Sequence, residues 1–263
     1  MLKTIFLKTL FEKRWMVFWW ALSSVALTVF IVLFFPTLKD SFGEAIKDIP
    51  ESMRSLIGNA EDYQKLGGYL TIQVFQQMIF LPIILGVILA TGLLGGDENE
   101  GTLQTLLANP VSRTKVYVHK LAATAVILGI VTFGFFVGSW LGAVLIKEYV
   151  NLWQLFQATF MAWLVAMMVS LIGFALSAIT GKRALAGSIA GAYAFVMYVI
   201  SSLVESVKAL RPIDYFSPFH YFDHPSPLKA AFDFGDMFVL LAACAVFIIA
   251  GYVVFTRRDV YQR

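Results

Sequence analysis

The chain has 263 residues, 59% of them hydrophobic, 14% charged, and a formal net charge of +3. A soluble domain of this size carries about a quarter charged residues; here the apolar residues gather in runs near the roughly 20 needed to cross a bilayer. That excludes an ordinary soluble enzyme, and the single Cys244 excludes a disulfide framework or a cysteine-based metal site.

Residues 1–15 carry Lys3, Lys8, Lys13 and Arg14 among Ile5, Phe6, Leu7, Leu10 and Phe11. The pattern fits an amphipathic helix on the membrane surface, and equally a positive flank for the first span. That span is predicted over about 16–35, with Trp15, Trp19 and Trp20 as interfacial anchors. Its apolar run is too long for a cleavable signal, and no small-residue cleavage site follows before Phe34-Phe35-Pro36. Residues 36–68 are polar and mixed in charge, an external loop or small cap. The second span is predicted over about 69–94, where Pro82 and Gly86 imply a bend that neighbouring helices can satisfy.

The stretch 95–120 is polar between two apolar runs. Asp97, Glu98 and Glu100 open it, and Leu103, Leu106 and Leu107 then follow the spacing of a small amphipathic helix. Pro110 closes that helix, and Arg113, Lys115 and Lys120 mark the return toward lipid. The reading is an interfacial helix with acids at its start and bases beyond its end, as the helix dipole prefers.

The third span is predicted over about 120–146. Gly134, Gly138 and Gly142 lie four apart on one face and allow another helix to approach closely. After a short external turn come the fourth span, about 154–179, a basic turn at 180–183, and the fifth span, about 184–203. Gly187 and Gly191 make a second close-packing pair there. Residues 205–236 hold Pro212, Pro218, Pro225 and Pro227, which preclude one long helix. Phe216, Phe219, Tyr221 and Phe222 between them suggest short re-entrant pieces. The sixth span, about 237–255, ends at Arg257-Arg258.

Six spans put both termini on one side. That side takes twelve of the twenty Lys and Arg but only five of the seventeen Asp and Glu. The positive-inside rule makes it the cytoplasm, and so places 95–120 there. No span shows a clear buried ion pair, which argues against a proton- or sodium-coupled carrier. No phosphate-cradling G-x-x-x-x-G-K-[ST] occurs, since Gly181-Lys182 lacks the upstream glycine. The chain therefore hydrolyses no ATP by that route. His220 and His224, with Asp223, have the spacing of a metal site on a helix, but Pro218 and Pro225 crowd them and satisfied interfacial histidines are favoured. His119 reads as a polar flank, and Glu205 as a cap or snorkelling group. No catalytic, metal or cofactor-binding residue is assigned, and no nucleic-acid partner.

The run from Asp97 through Glu98, Glu100, Gly101, Thr102, Leu103, Leu106, Leu107 and Pro110 to Arg113, followed by Lys120, resembles the signature of ABC-2 type transporter permeases. Asn99 and Gln104 depart from that pattern without breaking it. Ser217-Pro218-Phe219-His220-Tyr221 resembles, more weakly, the family's aromatic segment before the last span. The resemblance implies an all-α membrane fold, one transmembrane domain over 1–263. It adds an N-terminal interfacial helix, a cytoplasmic coupling helix at 101–108 and short external re-entrant helices. It implies a plasma-membrane permease subunit of an exporter, working as a dimer with a second copy or paralogue in membrane lipid. ATP and magnesium would belong to a separate ATP-binding subunit docked on the 97–113 loop, with Glu98 and Glu100 facing it. The rival readings are an ABC-2-like subunit in a sensing or immunity complex, a non-ATPase channel or carrier, and a membrane-embedded enzyme. The last two need polar or charged groups inside the spans, which the sequence does not show.

Overall fold

The computed structural model describes residues 4–39, 65–107, 111–204, 206–223, 228 and 233–258. Most of the predicted 36–68 loop lies outside the described residues, as do Pro110, Glu205 and His224. In chain order the helices are α1 (Ile5–Leu33), α2 (Leu66–Asn99), α3 (Thr102–Leu107), α4 (Arg113–Ile146), α5 (Leu152–Thr180), α6 (Arg183–Leu203), α7 (Arg211–Asp214), α8 (His220–Asp223) and α9 (Phe234–Arg257). Six of them, α1, α2, α4, α5, α6 and α9, are long and apolar enough to cross a membrane. No strand occurs among the described residues, as expected where lipid leaves the backbone no partner but itself.

Polar side chains set several helix starts. Thr4, Ser112, Asn151 and Asp233 each accept a hydrogen bond from a backbone N–H of the first turn of α1, α4, α5 and α9. The N-terminal segment differs from the expected separate interfacial helix. Residues 5–33 form one unbroken helix of 29 residues, about 44 Å long at 1.5 Å per residue. Nothing in 5–15 breaks helix geometry, so the basic turns are an extension of the span.

Around the position where a bend was expected, α2 departs from regular α-helix. Thr71–Gln76 and Gly92–Gly96 are π-helical, on either side of a regular stretch, Phe80–Thr91. Pro82 has no N–H to give to the Met78 carbonyl, and the Leu81 N–H takes that carbonyl at 3.0 Å instead.

α5 is the centre of the bundle. It is the most buried of the six long helices and packs against α2, α4, α6 and α9. α1 lies outside this group, packed along α4. That seam is built by the three glycines singled out in the third span. Ser24, Thr28 and Val32 of α1 are each buried opposite Gly134, Gly138 and Gly142 in turn. A Cβ on Gly138 would stand 2.8 Å from the Val25 carbonyl oxygen, and one on Gly142 would stand 2.6 Å from Val32 Cβ. Ser24 Oγ lies 3.0 Å from the Val131 carbonyl oxygen and can donate to it across the seam. Lipid gives helices no hydrophobic reason to associate, so close backbone approach and such hydrogen bonds carry the packing. The second expected glycine pair does not behave this way. Gly191 faces open space and Gly187 only ordinary contact at 3.8 Å, because α6 is the least enclosed neighbour of α5.

The two ends of the bundle are distinct. Lys39, just past α1, pairs with Glu148, just past α4, at 3.0 Å. At the opposite end Ile5 packs near Leu103, Val116 and Phe255. Both described chain ends, and the 97–113 loop, therefore lie at the same end of the bundle.

Gly138→Ala forces Thr28 or the Val25 backbone to move and should cost about 1–3 kcal/mol. Gly191→Ala should be neutral or slightly stabilising, since alanine is the better helix former. Unfolding of both variants in the same detergent micelle checks the contrast. Equal midpoints would contradict the seam.

Candidate functional site

The acidic cluster does not sit at the start of the short helix. Asp97–Asn99 form the last turn of α2, Gly101 turns the chain with φ +73°, and α3 begins at Thr102. Two carboxylates thus stand at a helix C-terminus, where the dipole disfavours them. Each is met by a cation from another helix. The Lys120 ammonium, on α4, is buried and donates to both Asp97 Oδ2 and the Leu93 carbonyl in the π-helical turn. Arg258, at the end of α9, pairs with Glu98 Oε2. Its backbone carbonyl accepts from Arg113 at the start of α4. Asn99, with its amide oriented to suit its neighbours, donates to the Gly181 carbonyl at 2.9 Å. Gly181 ends α5 with φ +69° and lies under the Glu98–Arg258 pair; a Cβ there would stand 2.5 Å from Glu98 Oε1. The closely packed Gly95 meets the Arg183 backbone in the same way, at 2.9 Å.

One turn of α2 is therefore tied to α4, to the α5–α6 turn and to the end of α9. The sequence reading missed Lys120 and Arg258 as partners, and with them two ion pairs at the end of the spans. Lys120 is 23 residues from Asp97 and Arg258 is 160 from Glu98, separations that no local pattern reports.

α3 is fixed from the inside as well. Leu103 is fully buried among Ala90 and Leu94 of α2, Val116 and Tyr117 of α4, Phe174 and Ala178 of α5, and Phe255 of α9. Leu106 packs against the same cluster, which matches the predicted apolar face. Of Leu107 only the backbone is described. The cluster is stiffened by rings. Tyr117 meets Phe174 at 5.1 Å and Tyr252 at 5.7 Å, and its hydroxyl donates to the Ile248 carbonyl at 2.8 Å. Glu100 and Thr102 are exposed, the Thr102 hydroxyl donating back to the Asp97 carbonyl at 3.1 Å. Of the two acids expected to face a partner, Glu98 is thus engaged within the chain and Glu100 is presented.

At the other end, residues 206–223 fold back onto the bundle as short helices. Phe219 is buried against Tyr198 of α6, 5.4 Å between ring centres, and against Phe80 of α2 at 6.1 Å. Asp214, 3% exposed, is held there by two partners. Ser201 Oγ donates to its Oδ1 at 2.5 Å, and His220 Nδ1 lies 2.6 Å from its Oδ2. A carboxylate only accepts, so the ring hydrogen is on Nδ1. His220 is thus satisfied by Asp214, a residue the sequence reading passed over. Among the described residues no cluster of three or more His, Cys, Asp or Glu has the arrangement of a metal site.

Glu98→Lys should destabilise the protein on the order of 2 kcal/mol, because it sets a cation against Arg258 in a partly buried pair. Arg258→Glu in the same chain should restore much of that loss, whereas Glu100→Lys should leave folding unchanged. Yield of monodisperse protein and unfolding midpoint in detergent measure all three. No curated protein matches the chain. The family model of the ABC-2 family transporter protein matches residues 9–260, nearly the whole sequence and all six long helices. The chain belongs to the ABC-2 transporter family, and is its multi-pass membrane subunit, the permease, with no catalytic role of its own.

Proposed function

We propose that this permease is the membrane half of an ATP-driven exporter, coupled through α3 to a separate ATP-binding subunit. The observation that carries the reading is the two-sidedness of the segment 100–103, the turn into α3 and its first residues. Leu103 is buried among the ends of four spans, while Glu100 and Thr102 stand exposed beside it. A push on the exposed face therefore reaches α2, α4, α5 and α9 through one packed side chain and two ion pairs.

In this reading the 97–113 loop and both termini face the cytoplasm of a cell with the chain in its plasma membrane. The partner binds ATP and magnesium, and its closure displaces α3. The apolar outer faces of α1, α6 and α9, with Phe18, Phe195 and Phe238 exposed on them, suit lipid and a second permease copy or paralogue. The translocation path would lie between the two copies. Charge balance supports the orientation, since basic residues dominate the end that carries the loop.

Co-expression with an ATP-binding subunit tests the docking. Thr102→Cys should crosslink to that subunit through a short bifunctional reagent. Glu100→Lys should weaken the complex about fivefold, the scale of one exposed charge contact near 1 kcal/mol, and lower permease-dependent ATP hydrolysis in proportion. A Thr102→Cys chain labelled from outside intact cells, or a Glu100→Lys complex of unchanged affinity and activity, would overturn the reading.

A further inference from the structure

An open cleft of about 440 Å³ lies between α2 and α6, beside the turn of α2 that carries the ion pairs. Its size falls within the range of about 300–1,000 Å³ of small-molecule sites. Val87 and Ile88 of α2 and Ala184 and Gly187 of α6 give it an apolar wall. Most of its polar groups are already engaged. Thr91 Oγ1 donates to the Val87 carbonyl and Ser188 Oγ to the Leu185 carbonyl. Asn99 is committed to Gly95 and Gly181.

Arg183 is different. It lines the cleft at its loop end, and its guanidinium lies along α2 where Gly92 and Gly96 leave room. A Cβ on either glycine would stand 3.8 or 3.6 Å from the arginine side chain. Among the described residues Arg183 makes no hydrogen bond or ion pair. The acids nearest in sequence to its α2 neighbours, Asp97 and Glu98, are held by Lys120 and Arg258. Arg183 is exposed, so a solvated permanent cation, without an ion-pair partner among the described residues, stands beside an apolar wall at the end of a membrane span. The positive end of α6, 21 residues long and without a side-chain cap, adds to the same field.

We propose that this cleft binds an anionic phospholipid from the adjoining leaflet. The phosphate sits on the Arg183 guanidinium, and an acyl chain lies along Val87, Ile88 and Ala184. Arginine suits a phosphate by offering paired N–H donors. Toward the other end α2 and α6 are in direct contact, through Phe80 and Tyr198 at 4.7 Å between ring centres. The proposal is independent of the docking reading above and does not require transport.

Native mass spectrometry of the full chain, released from micelles doped with phosphatidylglycerol or phosphatidylcholine, tests it. The wild type should retain phosphatidylglycerol over phosphatidylcholine by about fivefold, the scale of one basic residue at a lipid headgroup. Arg183→Gln should bring the ratio near one, while Arg257→Gln, at the equally exposed end of α9 but outside the cleft, should leave it unchanged. Gly187→Leu fills the cleft from a position with room for a side chain and should lower retention with Arg183 intact. Equal retention of the two lipids by the wild type would overturn the proposal. So would equal losses in Arg183→Gln and Arg257→Gln, which mean diffuse charge attraction. Displacement of the lipid by millimolar inorganic phosphate, or a folded Gly187→Leu chain with undiminished retention, would remove the acyl seat and overturn it as well.

Discussion

Two carboxylates at the wrong end of a helix govern the loop end of this molecule. Asp97 and Glu98 close α2, where the unpaired carbonyls already carry negative charge. Left alone there they would fray the turn. Lys120 and Arg258 answer them from α4 and from the end of α9, and those cations in turn have carboxylates to offset the cost of standing at the edge of lipid. The pairing is mutual, so neither the end of α2 nor the end of α9 has its observed position without the other. Gly181 and Gly95 make this possible, since a side chain at either would occupy the space of the Glu98 carboxylate or the Arg183 backbone.

Leu103 adds an apolar lock to the ionic ones. A six-residue helix in water does not hold its shape by backbone hydrogen bonds alone, and α3 is kept by what its inner face touches. Its leucine fills a gap between four spans whose other occupants are Tyr117, Phe174 and Phe255. Removal of those atoms leaves a void that a ring-lined pocket closes poorly. The short helix is thus an attached part of the bundle, and the positive φ at Gly101 lets it leave α2 at a sharp angle.

Much of this architecture was legible in the sequence. Six apolar runs near bilayer length gave six helices in the right places, and the apolar spacing of Leu103 and Leu106 identified the buried face of α3. The signature around Gly101 pointed to the family that the match over residues 9–260 bears out. What was not legible has a common cause. The sequence shows which residues are charged but not which distant helix answers them, so Lys120 looked like a flank and Glu98 like a free docking group. Glycine spacing had the same limit. Gly134, Gly138 and Gly142 form a tight seam because Ser24, Thr28 and Val32 face them, whereas Gly191 has the same spacing from Gly187 and faces nothing. Of the two readings left open for residues 1–15, the flank of the first span is the one α1 shows, since no helix-breaking residue in 5–15 separates the basic turns from the span.

These contrasts divide the bundle into a stiff part and a loose one. Along α1 and α4 each seat is filled, and sliding one helix past the other would drive Val32 or Thr28 into backbone; packed contacts of this kind shift in jumps or not at all. α6 has no such interlock. It packs on α5 and α2, shows little buried surface, and leaves a cleft beside α2 at its loop end. Relative movement of helices costs least where the fewest seated side chains must leave their places. In this chain that place is the α2–α6 boundary, where α2 already carries two π-helical turns and where Arg183 stands next to the turn that Asp97 and Glu98 hold. If the proposed docking displaces α3, Leu103 would pass the movement to α2, α4, α5 and α9, and the boundary with α6, which has the fewest seated side chains, would yield first.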